Sequence, residues 1–296
     1  MLVRLCNTIW SRRQVSPHSG GAAASWPEMG LRIVNEHNYI LADASADAEN
    51  ARLRLLEQIA DPETMRRLEY LGVASGWRCL EIGAGRGSVA RWLAEQVGPG
   101  GRVVAADIDC RHLTGLPDNV EVRALDIRTD TPEPDSYDLV HCRALLFHLP
   151  DPLAALRRMA TALRPGGVLL AEEADYGLYA YGGHPDAPWL TDKSHQMFAA
   201  VASAKVVNPY FGRTLPGLLT TVGMKLEGGE VDSTFARCGE PAYELERLTA
   251  EAAAPAVVAA GLLTEEEYKA AQAIRSSPTA VMTTASVVAA WARRIN

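Results

Sequence analysis

The stretch Cys79-Leu-Glu-Ile-Gly-Ala-Gly-Arg-Gly-Ser-Val-Ala-Arg-Trp-Leu93 decides how this chain folds. An apolar run, "WRCLEI" at 77–82, leads into three closely spaced glycines. Helical spacing then runs from about Ser88 to Val97, where "GPGG" stops it. A second apolar run, "RVVAAD" at 102–107, reads as another strand. Strand, helix and strand in this order make a βαβ unit, and such a crossover requires a parallel sheet. A glycine-rich turn at the first strand-to-helix junction is a place where a nucleotide sits.

Working outward, the same alternation continues. "VEVRALD" (120–126), "YDLVHC" (137–142) and "GVLLAEE" (167–173) read as three more strands. Between the last two, Asp151 and Pro152 start a helix and Gly166 reads as its stop. Upstream, helical spacing over 46–59 predicts one helix, and Asp61 with Pro62 as cap and first residue predicts a second. Beyond Glu173, "ADYGLYAYGGHPDAPW" reads as a loop over a pocket, too irregular for a strand. Helices follow around Trp189, Met197 and Phe198 and at 212–224, then a strand within 225–236. Residues 240–275 read as helical, with Thr264 and Glu267 forming a capping box, and the chain closes on a β-rich segment.

The 296 residues, 48% of them apolar, suffice for one large α/β domain with insertions. No apolar run reaches the roughly 18 to 20 residues of a membrane helix. Five scattered cysteines, with no CxxC pair and no metal-ligand spacing, predict a reducing, cytoplasmic setting and no metal site. A net charge of −7 disfavours nucleic acid and favours a small-molecule partner. Residues 1–30 hold three arginines and read as a disordered arm, with Met29 as an alternative start. The expected division is then 31–75 for N-terminal helices, 76–175 for the nucleotide-binding core and 176–296 for a substrate-side region carrying the last sheet strands.

Which nucleotide binds is decided by the acids around the loop. Gly83-Ala-Gly85-Arg-Gly87 places Ser88 where the dinucleotide fingerprint wants its third small residue, so that fingerprint fits poorly. Glu81 lies inside the first strand, where a parallel sheet should be apolar, and a carboxylate there needs a cation or donor. Asp107 ends the second strand at the placement that accepts ribose hydroxyls. Asp126, at the end of the third, is placed to accept from an adenine amino group, with Ile127 covering the ring. Three acids at three consecutive strand ends describe a site for an amino-acid-bearing adenosine, S-adenosylmethionine (AdoMet).

On these residues the chain resembles the class I AdoMet-dependent methyltransferases, in particular the menaquinone/ubiquinone type and the small-molecule enzymes of actinobacterial secondary metabolism. "LEIGAGRGSVA", "VVAADID", "LDIRTD", "YDLVHCRALLFHLPDP" and "LRPGGVLLAEE" match the family's motifs in order over about residues 60 to 175. The resemblance implies a Rossmann-like, doubly wound, mostly parallel seven-stranded sheet with helices on both faces, N-terminal helices and a helical cap. It implies AdoMet as methyl donor, S-adenosylhomocysteine as product and a transferase (EC 2.1.1) as function. Carried over position by position, it assigns the cofactor to Glu81, Gly83, Ala84, Gly85, Asp107, Ile108, Asp126, Ile127 and the backbone of Arg143. It also implies that residues 31–75, with Asn38 and Tyr39, close over the cofactor.

The acceptor is less legible. His148, after the fourth strand, is either a general base or a residue that orients its loop. Glu173, Asp175 and His184 follow the fifth strand near the same face. Tyr176, Tyr179 and Tyr181 either line a pocket for a planar substrate or pack beneath the loop. An O-methyltransferase of a natural product or quinone-like acceptor is the leading expectation. C- or N-methylation, or a protein of this fold that holds AdoMet for another reaction, are the alternatives, and a homodimer is a candidate assembly.

Overall fold

The computed structural model describes residues 46–203 and 207–295. The expected arm at 1–30, Asn38 and Tyr39 lie outside the described residues.

A seven-stranded sheet carries the chain. Its strands are β1 (Arg78–Ile82), β2 (Arg102–Asp107), β3 (Val120–Ala124), β4 (Tyr137–Arg143), β5 (Leu163–Asp175), β7 (Met224–Asp232) and β10 (Ser286–Arg294), in the order β3-β2-β1-β4-β5-β10-β7. The first five are parallel and β10 runs antiparallel between β5 and β7. The order reverses between β1 and β4, and the crevice above that switch point is where open α/β sheets bind ligands.

Alternating side chains send two apolar sets to opposite faces of the sheet. On one face Leu80, Val104, Val140 and Leu169 pack against Leu156 and Met159 of α3 (Pro152–Ala162) and against Leu215 and Leu219 of α5 (Leu215–Thr221). On the other, Cys79, Val103, Leu139 and Leu170 pack against Val89, Leu93 and Val97 of α2 (Ser88–Val97), with Leu68 of α1 (Ala46–Tyr70). Asp151 caps α3 by accepting the Ala154 N–H at 2.9 Å, with Pro152 in the first turn, as its sequence predicts.

Three expectations change. The two helices expected before the glycine loop are one, α1, with Pro62 inside it. A proline in a helix interior costs roughly 3 kcal/mol in lost hydrogen bonding and ring clash. Tertiary contacts on both sides of it offset that: Asp61 accepts from Arg143, and Thr64 and Arg67 bond to Glu172. Gly166 does not stop α3, which ends at Ala162. It sits at φ 79° inside β5, in a bulge between the Tyr137–Leu163 and Leu139–Val168 pairs.

The third change concerns the region after β5. The stretch read as an irregular loop contains β6 (Ala180–Gly182), and the single strand read over 225–236 divides into β7 and β8 (Phe235–Arg237). With β9 (Val281–Thr283) these form a second antiparallel sheet, β6-β9-β8. Helices α4 (Ala187–Ser203), α6 (Pro241–Ala259) and α7 (Glu265–Arg275) pack with it around Tyr179, Tyr181, Tyr243, Ile274 and Met282. This cap lobe is inserted largely between β7 and β10, and α1 packs along its α6. The Thr264–Glu267 capping box of α7 forms as expected.

Candidate cofactor site

The glycine loop sits over the carboxyl ends of β1 and β2. The Gly83 and Ala84 N–H groups donate to the Ala106 carbonyl at 2.8 and 3.1 Å, and the Gly87 N–H donates to the Ala84 carbonyl at 2.7 Å. Gly83 adopts φ 76° and Gly87 φ 77°, a region that side chains rarely enter. A Cβ on Gly87 would also press on Leu113 and Leu116 at 3.0 Å. Glycine at 83 and 87 is therefore favoured by backbone geometry, whatever the ligand.

Asp107 fixes this loop. Its carboxylate accepts the Gly85 N–H at 2.8 Å and the Asp109 N–H at 3.0 Å. One backbone donor per oxygen leaves a further acceptor site on each. Burial raises its pKa above the usual carboxylate value, against these backbone hydrogen bonds. Beside it, Ile108 is 56% exposed, an unusual position for a large aliphatic side chain. Arg86, at the tip of the loop, bonds Glu57 at 3.1 Å and also Asn50, tying the loop to α1.

Glu81 is buried, and its Oε2 has no hydrogen-bond partner. An unpaired acid oxygen inside a protein is costly, and a cationic or donor group of a ligand is the remedy the chemistry allows. The residues present thus fit AdoMet: a buried acid for its amino group, a side-chain-free loop that allows close approach, and an acid with spare acceptor capacity for its ribose.

Other expected site residues are placed differently. Asp126 lies two residues past β3 and is paired with Arg128, whose Nη2 is 2.7 Å from Oδ2. Ile127 is 3% exposed and belongs to the core. The Arg143 side chain donates to Asp61 Oδ1 at 2.7 Å and Thr64 Oγ1 at 2.9 Å, which pins α1 across the top of β4.

Glu173 is occupied by the turn that follows β4. It is 1% exposed and its carboxyl accepts the Leu145 and Leu146 N–H groups at 3.1 and 2.7 Å, with Phe147 at 3.5 Å. Burial drives its pKa up to about 8 despite those hydrogen bonds. It holds the turn after β4, where Ala144 adopts φ 51°, Leu145 lies 3.4 Å from a Cβ built on Gly83, and His148 closes a single 3₁₀ turn (Leu146–His148). The His148 ring lies 3.8 Å from that of Phe147. Asp175, expected in the pocket, is bound on both oxygens by Arg213 and caps the turn at Gly177. His184 accepts the Asp186 N–H at 3.1 Å.

Of the three tyrosines, Tyr179 and Tyr181 are core residues of the cap lobe, their hydroxyls 2.9 Å apart, and Arg275 donates to Tyr181. Tyr176 is half-buried, its ring 4.8 Å from that of Phe198. Packing beneath the loop accounts for the first two.

The sequence reading overlooked a buried polar layer. Arg67, His141 and Glu172 are all at most 2% exposed and meet beside Glu81. A histidine within "YDLVHC" and a glutamate within "LLAEE" break apolar strands as Glu81 does, and that was the available signal. Among the described residues no group of three or more His, Cys, Asp or Glu could hold a metal, and no helix is long and apolar enough to cross a membrane.

Comparison with known proteins agrees with this geometry. A methyltransferase domain family model matches residues 41–227. Methyltransferase str3 of Strobilurus tenacellus is 35% identical over 143 residues, covering 48% of this chain and 50% of that protein. A ubiquinone biosynthesis O-methyltransferase of Aeromonas salmonicida is 34% identical over 113 residues, covering 34% and 46%. The chain thus spans about half the length of the curated relatives it matches. A solved candidate methyltransferase of Bacillus halodurans C-125 superposes with a TM-score of 0.52 at 17% identity, over 78% of this chain and 98% of that one, a likeness of fold. With a family match across more than half its length, the chain belongs to the methyltransferase domain family.

Proposed function

We propose that this chain transfers the methyl group of AdoMet to a small-molecule acceptor, most simply to an oxygen of a natural-product or quinone-like compound. The observation that carries the reading is Glu81, a buried acid with an unpartnered oxygen beside a glycine loop fixed by Asp107. In this reading Glu81 receives the α-ammonium, Gly83, Ala84 and Gly85 present their backbone, Asp107 accepts the ribose hydroxyls, and Ile108 lies against the adenine. When bound, AdoMet supplies a methyl group already activated on a sulfonium, which leaves the chain to align the acceptor and exclude water. Glu173 holds the turn that presents His148, and His148 takes the acceptor's proton. The oxygen assignment leans on the ubiquinone O-methyltransferase relative, and the cap lobe with Tyr176 supplies the acceptor side.

The test is to incubate the purified chain with AdoMet and a panel of phenolic and quinol acceptors and to measure S-adenosylhomocysteine by chromatography. Accumulation with an oxygen acceptor supports the reading. Tight AdoMet binding with no product from any acceptor would indicate a protein of this fold that uses the cofactor otherwise. If His148 is the base, His148→Ala lowers kcat by about 10²- to 10⁴-fold while AdoMet affinity stays near wild type. Equal kcat in the two proteins at every pH removes that role.

A further inference from the structure

His141 is the only buried imidazole described between two carboxylates. Its Nε2 lies 3.2 Å from Glu172 Oε2 and its Nδ1 lies 3.8 Å from Glu81 Oε1. Glu172 also accepts Arg67 Nη1 and Thr64 Oγ1, both at 2.6 Å, from α1. Facing this group are Arg143 of β4, paired with Asp61 of α1, and the partly exposed Glu230 and Asp232 of β7, which take the other donors of Arg67. The inner layer without His141 therefore holds two cations, Arg67 and Arg143, against three carboxylates, Asp61, Glu81 and Glu172. A protonated His141 balances it, and a buried charge without a counter-charge is strongly unfavourable.

We propose that His141, as an imidazolium, is the counter-ion of Glu81 in the cofactor-free protein and gives its Nδ1 proton to solvent when a cationic amine arrives at Glu81. Cofactor binding is then linked to release of one proton. The inference rests on the reading that Glu81 receives the α-ammonium of AdoMet.

Two cations beside one buried carboxylate would leave an uncompensated positive charge, and of the cations present only the imidazolium gives up a proton near neutral pH. The step breaks one N–H bond at Nδ1, leaves its electron pair on the ring and passes the proton to buffer. Glu172 stays ionised, its pKa held at about 2: burial pushes it up, and the hydrogen bond and charge of His141, the charge of Arg143 and the Thr64 hydrogen bond outweigh that. It keeps the Nε2–H, so the neutral ring has its open nitrogen toward Glu81. Nδ1 of His141 and Oε2 of Glu81 are both buried without a hydrogen-bond partner, consistent with a pair whose charges exchange roles. Burial lowers the His141 pKa, but Glu172 and Glu81 together raise it above the ordinary value, in the direction required. Because Thr64 and Arg67 belong to α1, the docking of that helix also sets the charge state beside the cofactor.

The experiment uses the whole chain labelled with ¹⁵N, with the His141 ring signals assigned by their loss in His141→Gln. At neutral pH both ring nitrogens should report an imidazolium. Added S-adenosylhomocysteine, which keeps the amino-acid end, should convert them to the neutral Nε2–H form. Calorimetry in buffers of different ionisation enthalpy should show proton release, with affinity rising up to about tenfold per pH unit below the imidazole midpoint. 5′-Methylthioadenosine, which lacks the amino acid, should leave His141 charged. Glu172→Gln should move the imidazole midpoint to lower pH, which tests the pairing should His141→Gln fail to fold. A His141 protonation state unchanged by S-adenosylhomocysteine overturns the proposal. Glu81→Gln that binds S-adenosylhomocysteine as tightly as wild type instead overturns the reading of Glu81, a separate result.

Discussion

Glu172 and Glu173 are neighbours on one strand, both buried, yet they serve opposite faces of the sheet and behave oppositely. On the α1 face Glu172 meets Arg67, Thr64 and His141, and its carboxylate is held at about 2. On the α3 face Glu173 meets only backbone N–H groups beside an otherwise apolar core, and burial carries its carboxyl to about 8. Burial desolvates both alike. What differs is the supply of counter-charge, and charge has been gathered on the face where a cationic cofactor is proposed to bind. On the α3 face Glu173 holds a turn.

The largest expected effect tests the charged face. Arg67→Met leaves Glu172 buried without the cation nearest its carboxylate and should cost about 3 to 5 kcal/mol of stability, read by urea unfolding. A loss under about 1 kcal/mol, the range of an exposed pair, would show that this face is not the dry ionic layer described.

The next expectation sets the two glutamates against each other along pH. In the folded protein Glu173 keeps its proton up to about pH 8, whereas an unfolded chain loses it near pH 4.3. The folded state then holds more protons between those values, so stability falls as pH rises across the window, by up to about 1.4 kcal/mol per unit. Glu172 works the other way, adding stability above the unfolded pKa that is lost as pH falls toward about 2. Glu173→Gln should flatten the decline between about pH 5 and 8 and leave the acid limb in place. Unchanged alkaline destabilisation in that variant would break the contrast.

A smaller effect concerns ligand affinity alone. Asp107→Ala removes the acceptor of the Gly85 N–H and the proposed ribose partner, and should weaken S-adenosylhomocysteine binding by about 1 to 3 kcal/mol, read by calorimetry. An unchanged dissociation constant would confine Asp107 to shaping the loop.

Much of this was legible in the sequence because it depends on short-range rules. The glycine loop, the α2 boundaries and the Asp151 cap all follow from residues within a few positions of one another. Glu81 stood out because an acid in a parallel strand contradicts its surroundings. Pro62 misled for the same reason: locally it reads as a start, and only contacts from Arg143 and Glu172 carry α1 through it. The cap sheet was missed because β6, β8 and β9 are three residues each and lie far apart along the chain.

The sequence by itself determined the doubly wound core and the acids at its strand ends, since periodicity, glycines and caps act locally. Only the tertiary structure decided what each buried acid faces. Glu81 meets His141, Glu172 meets α1, and Glu173 meets the turn before His148. The charge of a buried carboxyl is set by partners that lie 26 to 108 residues away along the chain, and no local pattern records them.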